Sequence, residues 1–179
     1  MTLKLAYWDD PWLRKKVPPV TEFNDEFKAF VKLFLESFQE PNKFCPGATP
    51  IGLASTQVRS NYRLFAICPY QLVDEEVTFG PPELFINPEL SEPSDLFVTE
   101  DEGCLSFPKL YIPIERPDAI TVEWQDIDGN KLKKRFEGFV ARQIMHENDH
   151  LNGVLFIDRI SKSQRKRIKN QLDSIKNKY

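Results

Sequence analysis

Between Asp25 and Gln39, apolar residues recur three and four positions apart. Phe27, Phe30, Val31, Phe34, Leu35 and Phe38 of DEFKAFVKLFLESFQ fall on one face of a 3.6-residue period, which predicts an amphipathic helix. The next segment, PNKFCPGATPIG, is rich in proline, glycine and asparagine and reads as a loop. YRLFAICPY reads as a buried strand, Gln71 to Pro82 as a second loop, and ELFINPEL as a short strand. LSFPKLYIPIERP is extended and broken by prolines. AITVEWQDIDGNKLKKRFEG is a hairpin turning at Asp128-Gly129. A helix is predicted from about Gly138 to Leu151, closed by Asn152-Gly153 as a left-handed cap, and a final helix from about Ser161. With helices at both ends and strands between them, the pattern predicts an α+β fold. Its mixed or antiparallel sheets would pack around the helix at 138–151, between an N-terminal and a basic terminal helix. At 179 residues the chain is long enough for one domain with its own core, so residues 1–179 are expected to form a single unit.

Composition narrows the function classes. Asp9 and Asp10 fall where a signal peptide needs an apolar run, and no stretch approaches the ~20 residues of a membrane span. A cytoplasmic protein with no membrane partner is expected. Cys45, Cys68 and Cys104 are odd in number and widely spaced, which fits reduced thiols better than a disulfide framework. The net charge of -3 is uneven: residues 161–179 carry seven Lys/Arg against Asp173, a net of +6 that leaves -9 for the remainder. That basic tail suits either a solvated helix or contact with an anionic surface.

Chemistry concentrates in RQIMHENDHLNG. His146 and His150, the chain's two histidines, lie about 40° apart around a helix axis, close enough to reach one ion. Glu147 and Asp149 flank them, about 100° and 60° away from His146. H-E-x-x-H on a helix is a metal signature in which the glutamate acts on a bound water. A catalytic site of this kind wants a third protein ligand and an open position. No third histidine exists, no glutamate follows Glu147, and Asp158 and Asp173 have no supporting pattern. A cysteine upstream is a strong donor. Cys68 lies in an apolar strand and reads as core, and Cys45 in a loop could be either. Cys104 in EDEGCLSFP follows a glycine and could be presented at a strand edge.

HENDH, EGCLS and PIGLASTQ, taken in reverse chain order, resemble the three signature motifs of the bacterial peptide deformylases: H-E-x-D-H, E-G-C-x-S and G-φ-G-φ-A-A-x-Q, with φ apolar. The resemblance extends from YWDDPWLRKKVPPV to VLFID. It implies a metal-dependent hydrolase that removes the formyl group from the N-terminal formylmethionine of newly made proteins. Cys104, His146 and His150 would hold one divalent ion, Fe(II) in the cell, although zinc, nickel or cobalt also suit such a site. The resemblance assigns Glu147 as the proton carrier, and Gln57 with the backbone N–H of Leu105 as donors to the developing oxyanion. Ile51, Gly52, Glu102, Gly103, Phe139 and Gln143 would meet the substrate. Asp149 would pair with Arg116, locking the helix to the strand that bears Cys104. Formylated nascent peptides are the implied partners, with the ribosome met through the basic tail, and no DNA. Four positions depart from the pattern: Pro50 replaces the first glycine, Ser55 the second alanine, Met145 a frequent glutamine, and Tyr111 an arginine that some members carry. Two rival readings remain: a metallopeptidase, which would leave EGCLS without a purpose, and a binding protein in which Pro50 excludes substrate.

Overall fold

A computed structural model describes residues 3–39, 44, 50–73 and 76–178. Cys45 and most of the loop predicted around it lie outside the described residues. The predicted first helix, α1, runs Asp25–Gln39. Strands β1 (Gly52–Ala54), β2 (Leu64–Ile67), β5 (Glu83–Ser91), β8 (Ala119–Gln125) and β9 (Lys131–Glu137) form one sheet in the order β1-β2-β5-β8-β9. Strands β3 (Tyr70–Val73) and β4 (Glu76–Phe79) make a separate hairpin, and β6 (Phe97–Cys104) with β7 (Phe107–Pro117) a long ribbon. Every pairing among these strands is antiparallel.

The two faces of the large sheet follow from the two-residue period of a strand. In β2, Leu64 and Ala66 pack with Phe27, Val31 and Phe34 of α1. Phe65 and Ile67 point the other way, toward Ala141, Ile144, Met145 and Leu151. Those four residues are the apolar stripe of α2, Gly138–Leu151. On its far side α2 meets the ribbon: Phe107, Leu110, Ile112 and Ile114 of β7 form a third cluster with Phe156, whose ring lies 5.8 Å from that of His146. The H-E-x-x-H helix is thus enclosed between a sheet and a ribbon. Gly153 ends it at φ +71, where a Cβ would meet the Arg14 carbonyl at 2.5 Å, so only glycine fits.

Two predicted elements differ. The segment expected as a loop between Gln71 and Pro82 contains the β3–β4 hairpin, whose strands carry the β-formers Leu72, Val73, Val77, Thr78 and Phe79. The tail is two helices, α3 (Lys162–Arg167) and α4 (Lys169–Lys178), parted at Ile168. The break lets α4 turn Leu172 and Ile175 onto the third cluster, while α3 buries no residue.

Candidate metal centre

Helical spacing sets the first two ligand candidates. The rings of His146 and His150 have centroids 5.2 Å apart at 72° to each other. The third comes from the ribbon, where the register shifts between Gly103 and Cys104. This irregularity places the Cys104 Sγ 3.3 Å from the His150 Nε2. One ligand atom from each of Cys104, His146 and His150 lies within 4.8 Å of the others. Sulfur and nitrogen bonded tetrahedrally to one ion at 2.3 and 2.0–2.1 Å would stand about 3.5 Å apart. The donor set therefore fits a tetrahedral centre with one open position.

The orientation of His146 is fixed from behind. Its Nδ1 lies 3.0 Å from Glu102 Oε2, which leaves Nε2 for the ligand side. Glu102 is 5% exposed and also accepts from Arg116 Nε at 2.5 Å and Arg142 Nη1 at 2.8 Å. Burial alone would raise its pKa, but the hydrogen bonds from Arg116 and His146 outweigh burial and hold the carboxyl well below its usual range. Arg116 Nη1 donates to Asp149 Oδ2 at 2.9 Å, the pair expected from the sequence. Arg159 grips the same carboxylate through Nε at 2.6 Å. One chain of charge-assisted hydrogen bonds therefore runs from Arg159 through Asp149, Arg116 and Glu102 to His146.

Around the three candidate ligands, burial shifts the titration of two neighbouring groups. Glu147 is 5% exposed, and burial pushes its pKa up to about 7. Its Oε2 is buried without a hydrogen-bond partner among the described residues. Burial, followed by the neighbouring His146, lowers the pKa of His150 well below the ordinary imidazole value, favouring the neutral ring that binds metals. Gln57 is anchored at one end, its Oε1 accepting from the Ala54 N–H at 2.8 Å. Its Nε2 must then face Ser106 Oγ, at 3.1 Å, and Cys104 Sγ, at 3.5 Å.

A cavity of about 330 Å³ opens over this group. Ile51, Gly52, Gln57, Glu102, Gly103, Cys104, Leu105, Phe139, Gln143, His146 and Glu147 all border it. His150 joins the group through the Cys104 Sγ, 3.3 Å from its Nε2. Arg116 and Asp149 border a separate hollow behind the helix. Pro50 and Tyr111, two of the sequence departures, line the cavity, and Tyr111 is 72% exposed at its edge. Although Glu102 borders the cavity, its carboxylate is occupied by Arg116, Arg142 and His146, so it acts as a support. The Gln143 amide donates to the carbonyls of Ile51, at 3.1 Å, and Cys68, at 3.2 Å, tying α2 to the residues that flank β1 and β2.

Arg142, Ser106 and Arg159 join the site only through the tertiary structure. Arg142 precedes His146 by four residues, and helical spacing alone would have put it on the ligand face. Arg159 carries no comparable local signal.

The family model of polypeptide deformylase matches residues 2–166. The chain belongs to the peptide deformylase family. Members of this family are metal-dependent hydrolases that remove the N-formyl group from nascent peptides. A peptide deformylase of Novosphingobium aromaticivorans is 35% identical over 182 residues, covering 93% of each chain. Among solved structures, a Plasmodium falciparum deformylase superimposes with a TM-score of 0.82 at 31% identity, covering 98% of this chain and 96% of that one. The Thermotoga maritima deformylase gives 0.75 at 35% identity, with 90% and 99% coverage. No helix among the described residues is long and apolar enough to cross a membrane.

Proposed function

We propose that this chain is a single catalytic domain that deformylates the N-terminal formylmethionine of newly synthesised proteins in the cytoplasm. Cys104, His146 and His150 would hold one divalent ion, Fe(II) in the cell. The observation that carries the reading is their convergence at a cavity bordered by Glu147, one of whose buried carboxylate oxygens has no partner among the described residues. A bound ion supplies Lewis acidity and lowers the pKa of water from 15.7 towards ~7.

The chain's own residues do the rest. Glu147 takes a proton from the attacking water and later delivers it to the departing amine. A pKa near 7 suits both directions of transfer. Gln57 Nε2 and the Leu105 N–H donate to the formyl oxygen as its carbon becomes tetrahedral, and the neutral amide of Gln57 adds no charge. Glu102 holds the His146 ring in place from outside. Phe139 and Gln143 line the slot for the methionine side chain, and the backbone at Ile51 and Gly52 lies alongside the substrate backbone. The exposed cations of the tail, Lys162, Lys166 and Arg167, suit ribosomal RNA as a docking surface.

Formate release from formyl-Met-Ala by protein purified without oxygen and loaded with Fe(II) tests the reading. The parent releases formate, and Glu147→Gln lowers kcat by about 10²–10⁴ while still binding metal. Cys104→Ala loses the metal. No formate from the metal-loaded parent, or an undiminished rate in Glu147→Gln, overturns the proposal.

A further inference from the structure

Pro108, Lys109 and Leu110, which border the active-site cavity, also border a second hollow of about 380 Å³. Its other wall is α4. At 100° per residue, this helix divides into three sectors. Leu172 and Ile175, 4% and 6% exposed, pack inward with Phe107 and Leu110. Trp8 Nε1 pins the same side by donating to the Leu172 carbonyl at 2.9 Å. Lys169, Asp173 and Lys176 form a charged sector with its own pairings, Lys169 to Asp173 at 2.5 Å and Lys176 to Asp9 at 3.6 Å.

The third sector is Asn170, Gln171 and Ser174, and it lines the hollow. These three side chains are exposed and hydrogen-bond no other described residue. The tail carries seven Lys/Arg, yet none of those among the described residues borders the hollow. Two amides and a hydroxyl offer donors and acceptors without charge. That chemistry matches peptide N–H and C=O groups, which every polypeptide presents whatever its sequence.

We propose that this hollow continues the substrate site. Asn170, Gln171 and Ser174 hold the backbone of the peptide downstream of the formylated residue without selecting its sequence. The inference rests on the deformylase reading given above. An extended chain advances about 3.3 Å per residue, so short peptides stop within the first cavity and longer ones pass Lys109 to reach α4.

The test is a length series: formyl-Met-Ala, then formyl-Met followed by two to seven neutral Ala, Ser and Gly residues, assayed with the metal-loaded full chain. In the parent, kcat/KM rises about five- to tenfold along the series, as one or two ordinary hydrogen bonds would give. The gain falls in KM rather than kcat and survives high salt, because the sector is uncharged. Two variants probe the hollow, read as the ratio of long to short substrate. Ser174→Trp fills it, and the combination Asn170→Ala, Gln171→Ala and Ser174→Ala strips its polar groups without adding bulk. Both bring the ratio to about one, and the alanine combination decides if the tryptophan disturbs the helix. A flat series in the parent, a ratio abolished by salt, or a ratio unchanged in the alanine combination overturns the proposal. Absence of formate even from formyl-Met-Ala would instead overturn the deformylase reading.

Discussion

A Cβ at position 52 would collide with the Glu147 carboxylate, meeting Cδ at 3.0 Å and Cγ at 3.2 Å. The absence of a side chain there leaves room for the Glu147 carboxylate, the proton carrier of the proposed reaction. Gly52→Ala is expected to keep the fold and displace the carboxylate, lowering kcat by at least about tenfold with an unchanged far-UV spectrum; proton transfer by a positioned group contributes about 10²–10⁴. A fully active alanine variant would mean that the carboxylate relaxes freely. His146 and Gln57 show the same dependence on neighbours: each has one end held by Glu102 or Ala54, and only the other faces the site.

At the scale of elements, the buried pairing of α2 with the ribbon has the largest energetic consequence. Arg116 is 1% exposed and donates to both Glu102 and Asp149. Arg116→Met leaves two buried carboxylates short of a partner and is expected to cost about 3–5 kcal/mol in urea unfolding. The turn after α2 makes a smaller, pH-dependent contribution. Asp158 accepts from Arg14, from the Leu155 N–H at 2.9 Å and from Arg165 at 3.0 Å. Burial would raise its pKa, but these bonds outweigh burial and lower it. A carboxyl depressed on folding stabilises above its unfolded pKa of about 3.9, and that stability is lost as pH falls through the folded value. Asp158→Asn should therefore melt about 2–4 °C below the parent near neutrality, for about 1 kcal/mol lost. The gap should narrow as pH falls below the unfolded value of about 3.9. A gap constant across that range would contradict the assignment.

For the whole molecule, α4 is part of the packed fold rather than a free tail, because Leu172 and Ile175 belong to the third cluster. Deleting residues from Ser161 onward would uncover the cluster that Leu172 and Ile175 cover, so lost ribosome binding could simply reflect a damaged fold. Neutralising Lys162, Lys166 and Arg167 to glutamine spares that contact. The triple variant should melt like the parent, bind ribosomes more weakly and show a shallower dependence of log K on log salt. An unchanged salt slope would remove the tail from the interaction.

Much of this was legible in the chain, and the boundary is a physical one. Features set by local geometry were readable: α1 and α2 from the 3.6 period, the turn at Gly129, and two imidazoles one helical turn apart. The third candidate ligand was not, because Cys104 and His146 are 42 positions apart; spacing left several donors open, and the motif resemblance chose among them. Neither the period nor the motifs disclosed that Glu102 braces His146, that Arg159 reaches Asp149, or that the tail breaks at Ile168 to cover a cluster. Those outcomes depend on which charges lose their water together and which apolar surfaces meet. Only the packing of α2 between sheet and ribbon decides that.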